Sequence, residues 1–193
     1  MATQQDKREA ESRERRRIAL AQVRQFPDPV LKQRSREVEE FDDDLAALAK
    51  RMLSLMDDAH GAGLAAPQIG LLRRMFVYHV SEEDGPVVVV NPEIIDRSEE
   101  TVVDGEGCLS ISLLIDERHD VPVERNERIR LRAQDVDGNV LERDVEGHEA
   151  RVIQHELDHL DGVLILDRTS RAERKEAMKR LRELERERSE QAA

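Results

Sequence analysis

Val152-Ile153-Gln154-His155-Glu156-Leu157-Asp158-His159-Leu160-Asp161-Gly162 is the stretch around which the chain is organised. It places two histidines four residues apart, with a glutamate beside the first. On a helix this spacing stacks both imidazoles on one face, one turn apart, where they can grip a single metal ion. Glu156 then stands next to the ion without having to ligate it. A general base needs that position to take a proton from water that the ion activates. Val152, Ile153, Leu157 and Leu160 form an apolar stripe at helical spacing, and Gly162 is a suitable stop. A surface helix that happens to carry two histidines would show the same short pattern, so the chain must also supply a third ligand and an oxyanion partner.

At 193 residues the chain suits one domain of ordinary size with some appended tail. Hydrophobic and charged residues each make up 38%, so a core is possible beneath a heavily charged surface. With no Trp, one Tyr and three Phe, that core must be built from Leu, Val, Ile, Ala and Met. A formal net charge of −12 argues against a nucleic-acid binder, and no DNA partner is expected. The single cysteine, Cys108, excludes an intramolecular disulfide and suits a reducing compartment. No apolar run reaches membrane-spanning length, and no membrane partner is expected. The first residues lack a signal-type apolar segment and carry Asp6, Glu9, Glu11 and Glu14, unlike transit peptides. The cytoplasm is the expected location.

Upstream of the central stretch, residues 1–22 are nearly all polar and read as a disordered or weakly helical tail. Folded structure is expected from Gln25-Phe26-Pro27-Asp28-Pro29 onwards. Asp42 to Asp44 look like a helix N-terminus, followed by Leu45, Leu48, Met52, Leu55, Met56 and Ala59 at helical spacing. That stripe reads as core. It runs into His60-Gly61-Ala62-Gly63-Leu64-Ala65-Ala66-Pro67-Gln68-Ile69-Gly70, a small-residue loop without the lysine of a phosphate-binding loop. Its Gln68 needs a partner if buried. Strand patterns follow at Met75 to Val80, at Val87 to Val90 (ended by Asn91-Pro92), and briefly at Thr101-Val102-Val103. Cys108 lies in Asp104-Gly105-Glu106-Gly107-Cys108-Leu109-Ser110, either as a small buried hydrophobe or as a thiolate ligand. Ile129, Leu131 and Ala133 mark a half-buried strand, Asp137-Gly138 a hairpin, and Val140 to Val145 the return strand. Residues 169–188 form a charged helix docked along Ala177, Leu181 and Leu184. The expected division is therefore a tail at 1–22, a catalytic domain at 23–168 and a charged C-terminal helix and tail at 169–193.

Together these pieces give Cys108, His155 and His159 as ligands, with a fourth position for water, the arrangement of a catalytic site. Glu156 takes the water proton and delivers it to a leaving amine. Gln68 and a backbone N–H beside Cys108 cover the developing oxyanion, an effect worth roughly 3 kcal/mol per donor. The reaction class is metal-assisted amide hydrolysis.

Gly61-Ala62-Gly63-Leu64-Ala65-Ala66-Pro67-Gln68-Ile69-Gly70, Glu106-Gly107-Cys108-Leu109-Ser110 and Gln154-His155-Glu156-Leu157-Asp158-His159 resemble, in order, the three motifs of the peptide deformylases. The similarity spans residues 26–169. It implies an α+β fold, with antiparallel strands around the helix that bears the two histidines. It also implies removal of the formyl group from N-formylmethionine at the start of nascent bacterial polypeptides. Cys108, His155 and His159 are then the metal ligands, Glu156 the base, and Gln68 with the Leu109 amide the oxyanion donors. Gly63 and Gly107 would offer backbone to an extended substrate, with His148 and Val152 among the substrate-binding residues. The implied metal is Fe²⁺, with Zn²⁺, Ni²⁺ or Co²⁺ able to replace it; spacing alone does not choose. Arg125 is expected to pair with Glu106 and brace the cysteine loop.

Two departures from the family pattern stand out. Ser112 occupies a place where proline is usual, and the segment to Val123-Glu124-Arg125, through Leu113-Leu114-Ile115, is longer than usual. His148-Glu149 stands where an apolar or aromatic residue is usual, at the rim of the methionine pocket. Two further readings stay beside the enzyme: an inactive binding module of the same fold for peptides or the ribosome, and a broader zincin-type peptidase. The second leaves Cys108 and Gln68 unexplained. Ribosome docking through the C-terminal helix is left open, because that helix mixes both signs of charge.

Overall fold

The computed structural model describes residues 3–83, 85–112 and 119–191. The Leu113-Leu114-Ile115 segment lies outside them. Helix α1 (Gln4–Leu20) opens with Thr3, whose hydroxyl accepts the Asp6 N–H while the Asp6 carboxylate accepts the Thr3 N–H. Its last turn buries Ala19, and the chain then buries Val23 in the same cluster as Leu45, Met52 and Met56 of α2 (Asp43–Asp58). The Asp42 carboxylate caps α2, accepting the Leu45 N–H at 2.9 Å.

Seven strands follow: β1 (Gly63–Ala65), β2 (Met75–Tyr78), β3 (Val87–Arg97), β4 (Thr101–Glu106), β5 (Val121–Asn126), β6 (Arg128–Gln134) and β7 (Val140–Glu146). Five form an antiparallel sheet in the order β1-β2-β3-β6-β7, while β4 and β5 pair as a separate antiparallel ribbon. Helix α3 (Gly147–Leu160) lies between them, packing Ala150, Ile153 and Leu160 on the larger sheet. The short α4 (Ile165–Arg168) and the long α5 (Arg171–Gln191) close the ribbon side, with Ala177, Leu181 and Leu184 buried against Val121 and Val123. This is the expected α+β architecture. Among the described residues no helix is long and apolar enough to cross a membrane.

Three local readings differ from the sequence expectation. Residues 4–20, expected to be disordered or weakly helical, form a helix of 17 residues. Strand β3 does not end at Asn91-Pro92 but runs through it, with the register shifted between Val90 and Glu93. Asn91 takes φ +49° there, and its side chain bonds the Val38 N–H, the Val38 carbonyl and Gln134, so the pair forms a bulge instead of a stop. Strand β5 was hidden because its inward positions are Val121, Val123 and Arg125, and a buried arginine breaks the apolar alternation.

Helix α3 is also buried nearly all round, rather than along one stripe. Arg151, Gln154, His155, Glu156, Asp158 and His159 are all buried beside the apolar residues. Burial of so many polar groups is tolerable only if each finds a partner. The ribbon provides most of them.

Candidate metal centre

The centre is built where α3 crosses the β4 end of the ribbon. Cys108 follows β4 and opens a 3-10 turn (Leu109–Ile111). Its Sγ lies 3.3 Å from His159 Nε2, and His159 Nε2 lies 3.2 Å from His155 Nε2. Ligand atoms of these three buried residues all fall within 4.8 Å of one another. His155 Nδ1 donates to Glu106 Oε2 at 2.9 Å, which leaves His155 Nε2 with its lone pair facing the other two. A thiol sulfur and two imidazole nitrogens converging in this way are soft and borderline donors of the kind that hold a transition-metal ion. The donor set therefore fits a resident divalent ion. Among the described residues it is the one such group, and His60, His79, His119 and His148 are not in it.

Glu156 is 3% exposed beside these ligands, and its Oε2 has no hydrogen-bond partner among the described residues. Burial pushes its carboxyl up to about 7, where a carboxylate can both accept and return a proton. Gly63 makes room for it, since a Cβ there would come within 2.8 Å of Glu156 Cγ. Gln68 is buried on the 3-10 turn Ala66–Ile69 after β1; its Oε1 accepts the Ala65 N–H at 2.8 Å. That bond turns Gln68 Nε2 towards Cys108 Sγ (3.9 Å) and Ser110 Oγ (3.2 Å).

Behind the ligands lies a charged network that the sequence reading only touched. Arg125 donates to both Glu106 oxygens at 2.9 Å, as expected, and also to Asp158 Oδ2 at 2.5 Å. Arg168 holds the same Asp158 from the surface side. Arg151, one turn before His155, donates to Glu106 Oε1 at 2.8 Å and to the Val123 and Val102 carbonyls of the ribbon. Burial alone would raise the Glu106 carboxyl, but the bonds from Arg125 and His155 outweigh it and hold it well below the carboxylate range. Arg151, Asp158 and Arg168 were missed in the sequence; the i−4 spacing of Arg151 from His155 was the one available signal.

The site opens into a cavity of about 320 Å³. It brings together Gly63, Gln68, Gly107, Cys108, Leu109, His148, Val152, His155 and Glu156, with His60 and Asp104 also lining it. Of the residues expected to bind metal or substrate or to act in catalysis, His159 alone does not line it; it is 1% exposed.

An α+β fold that presents His-Glu-x-x-His on a buried helix to a cysteine loop defines a metal-dependent hydrolase. Residues 20–175 match the model of the polypeptide deformylase family. The peptide deformylase of Thermotoga neapolitana is 45% identical over 165 residues, covering 86% of this chain and 96% of the relative. Among solved structures, the peptide deformylase of Thermotoga maritima is 46% identical with a TM-score of 0.71, covering 77% of this chain and 96% of that one. That of Legionella pneumophila is 34% identical with a TM-score of 0.78, covering 86% and 96%. This chain belongs to the polypeptide deformylase family.

Proposed function

We propose that the chain hydrolyses the formyl amide of N-formylmethionine at the start of nascent polypeptides, with Cys108, His155 and His159 holding Fe²⁺ as the working metal. The observation that carries this reading is the convergence of those three ligand atoms beside the buried, unpartnered Glu156 Oε2. When bound, the ion supplies a Lewis acid that acidifies water and polarises the formyl carbonyl. Glu156 takes the proton as the water oxygen bonds to the formyl carbon. Gln68 Nε2 and the Leu109 N–H donate to the oxygen on which negative charge develops. The C–N bond then breaks, Glu156 returns its proton to the departing amine, and formate and a free amino-terminal methionine remain.

Gly63 and Gly107 flank the cavity with bare backbone, which suits an extended peptide bonded in β fashion. His148 and Val152, one turn apart on α3, line the same cavity and are assigned to the methionine side chain. Action on nascent bacterial chains supports a cytoplasmic location. Ribosome docking through α5 belongs to the same proposal, although Lys179 and Arg180 pair with Glu183 of their own helix. Charge reversal of Lys179, Arg180 and Arg182 should abolish cosedimentation with ribosomes; unchanged binding sinks that part.

Formate release from formyl-Met-Ala-Ser by anaerobically purified, iron-loaded protein is the direct test. Activity in the wild type, lost in Glu156→Ala with metal retained, is the expected result. A wild type that keeps its metal and releases no formate overturns the reading.

A further inference from the structure

Ser112, where the family resemblance calls for proline, uses both polar groups that proline lacks. Its N–H and its hydroxyl donate to Gln25 Oε1, at 3.2 and 2.9 Å. The other end of the Gln25 amide donates to the Leu109 carbonyl at 2.9 Å and, at greater length, to the Val23 carbonyl. One amide side chain thus ties both ends of the turn that follows Cys108. The Phe26 N–H donates to the Ser110 carbonyl between them at 2.8 Å, and within the turn the Ile111 N–H donates to the Cys108 carbonyl at 2.8 Å. One residue before Gln25, the Arg24 N–H donates to the Gln68 carbonyl at 2.6 Å. The short segment of residues 24–26 therefore touches both residues assigned to the oxyanion.

We infer that Gln25 and Ser112 form a polar latch that holds the Leu109 amide in register with Gln68, and that both are positioning residues for deformylation. The inference rests on the proposed roles of Leu109 and Gln68. With the Leu109 carbonyl and the Ser112 nitrogen both tied to one side chain, the turn cannot rotate its peptide planes without breaking bonds. The Leu109 N–H shares its peptide plane with the Cys108 carbonyl, which the Ile111 N–H holds from inside the turn, so keeping the turn closed at both ends keeps that N–H in one direction.

The test is a double-mutant cycle of Gln25→Met and Ser112→Pro, with Ser112→Ala as a milder variant that keeps the N–H. Ser112 has φ −58°, which suits proline, so Ser112→Pro removes donors without forcing that angle. Each single variant should lower kcat on formyl-Met-Ala-Ser roughly tenfold with KM little changed. Metal content by elemental analysis should stay the same. The Ile111 amide should exchange its hydrogen roughly tenfold faster. The double variant should fall no further than the worse single, because each breaks the same latch. Unchanged kcat and exchange, fully additive losses, or loss of metal overturn the inference, the last by showing that the turn serves the cysteine instead. Exchange does not depend on turnover: faster Ile111 exchange in a wild-type-inactive background keeps the latch and removes the deformylase reading.

Discussion

Glu106 Oε2 accepts the His155 Nδ1 proton at 2.9 Å, and the same carboxylate takes three further bonds from Arg125 and Arg151. The bond decides which imidazole nitrogen carries the proton and so presents His155 Nε2 as a ligand. Glu106→Gln weakens that orientation and leaves two buried guanidinium groups short of an anion. Metal affinity should fall about 10- to 100-fold, read by competition with a chelator. An unchanged affinity would mean that the helix alone orients the ring.

Gly63 stands where any side chain meets Glu156. In Gly63→Ala the base is displaced while the short edge strand β1 keeps its pairing to β2. The expected outcome is a loss of kcat/KM of about 100-fold, with the melting temperature changed little. Formate release and thermal unfolding on the same sample check both halves.

Arg125 is 5% exposed and holds Glu106 on one side and Asp158 on the other. Arg125→Met fills similar space but leaves two buried carboxylates without their shared cation. Breaking one partner of a buried network costs about 3–5 kcal/mol, so the denaturant midpoint should drop markedly. The loss should exceed that of Arg130→Met, whose half-exposed pairs with Glu142 and Asp144 lie on the outer sheet.

Asp167, which joins α4 to Lys32 and Arg174, titrates below its ordinary value of 3.8. Burial opposes this shift, but the Lys32 bond and the Leu164 N–H outweigh it. A depressed carboxyl contributes stability that is present above the unfolded value and lost as pH falls through the folded one. Asp167→Asn should therefore be less stable than the wild type at neutral pH, and the gap should narrow as the pH is taken to a second, acid value below 3.8. Urea midpoints at the two pH values measure it; a gap that widens in acid reverses the sign.

Local pattern alone was enough for α2 with its Asp42 cap, the β6–β7 hairpin around Asp137-Gly138, and α3 with its paired histidines. Each rests on residues close together in the chain, whose periodicity and capping chemistry act over one or two turns. The cluster of Cys108, His155, His159 and Glu156 was readable for the same reason, since three motifs each carry their own local geometry. What packs behind them was not. Arg151 and Asp158 carry no local sign of burial until the β4–β5 ribbon closes on α3 and removes water from them, while Arg168 reaches Asp158 from the exposed side. Asn91-Pro92 reads as a strand end until Val38 and Gln134 satisfy the bulge. Ser112 is a simple departure until Gln25, 87 positions earlier, meets its hydroxyl. Buried polar groups find their partners across the fold, and a one-dimensional pattern holds no record of contacts made at that separation.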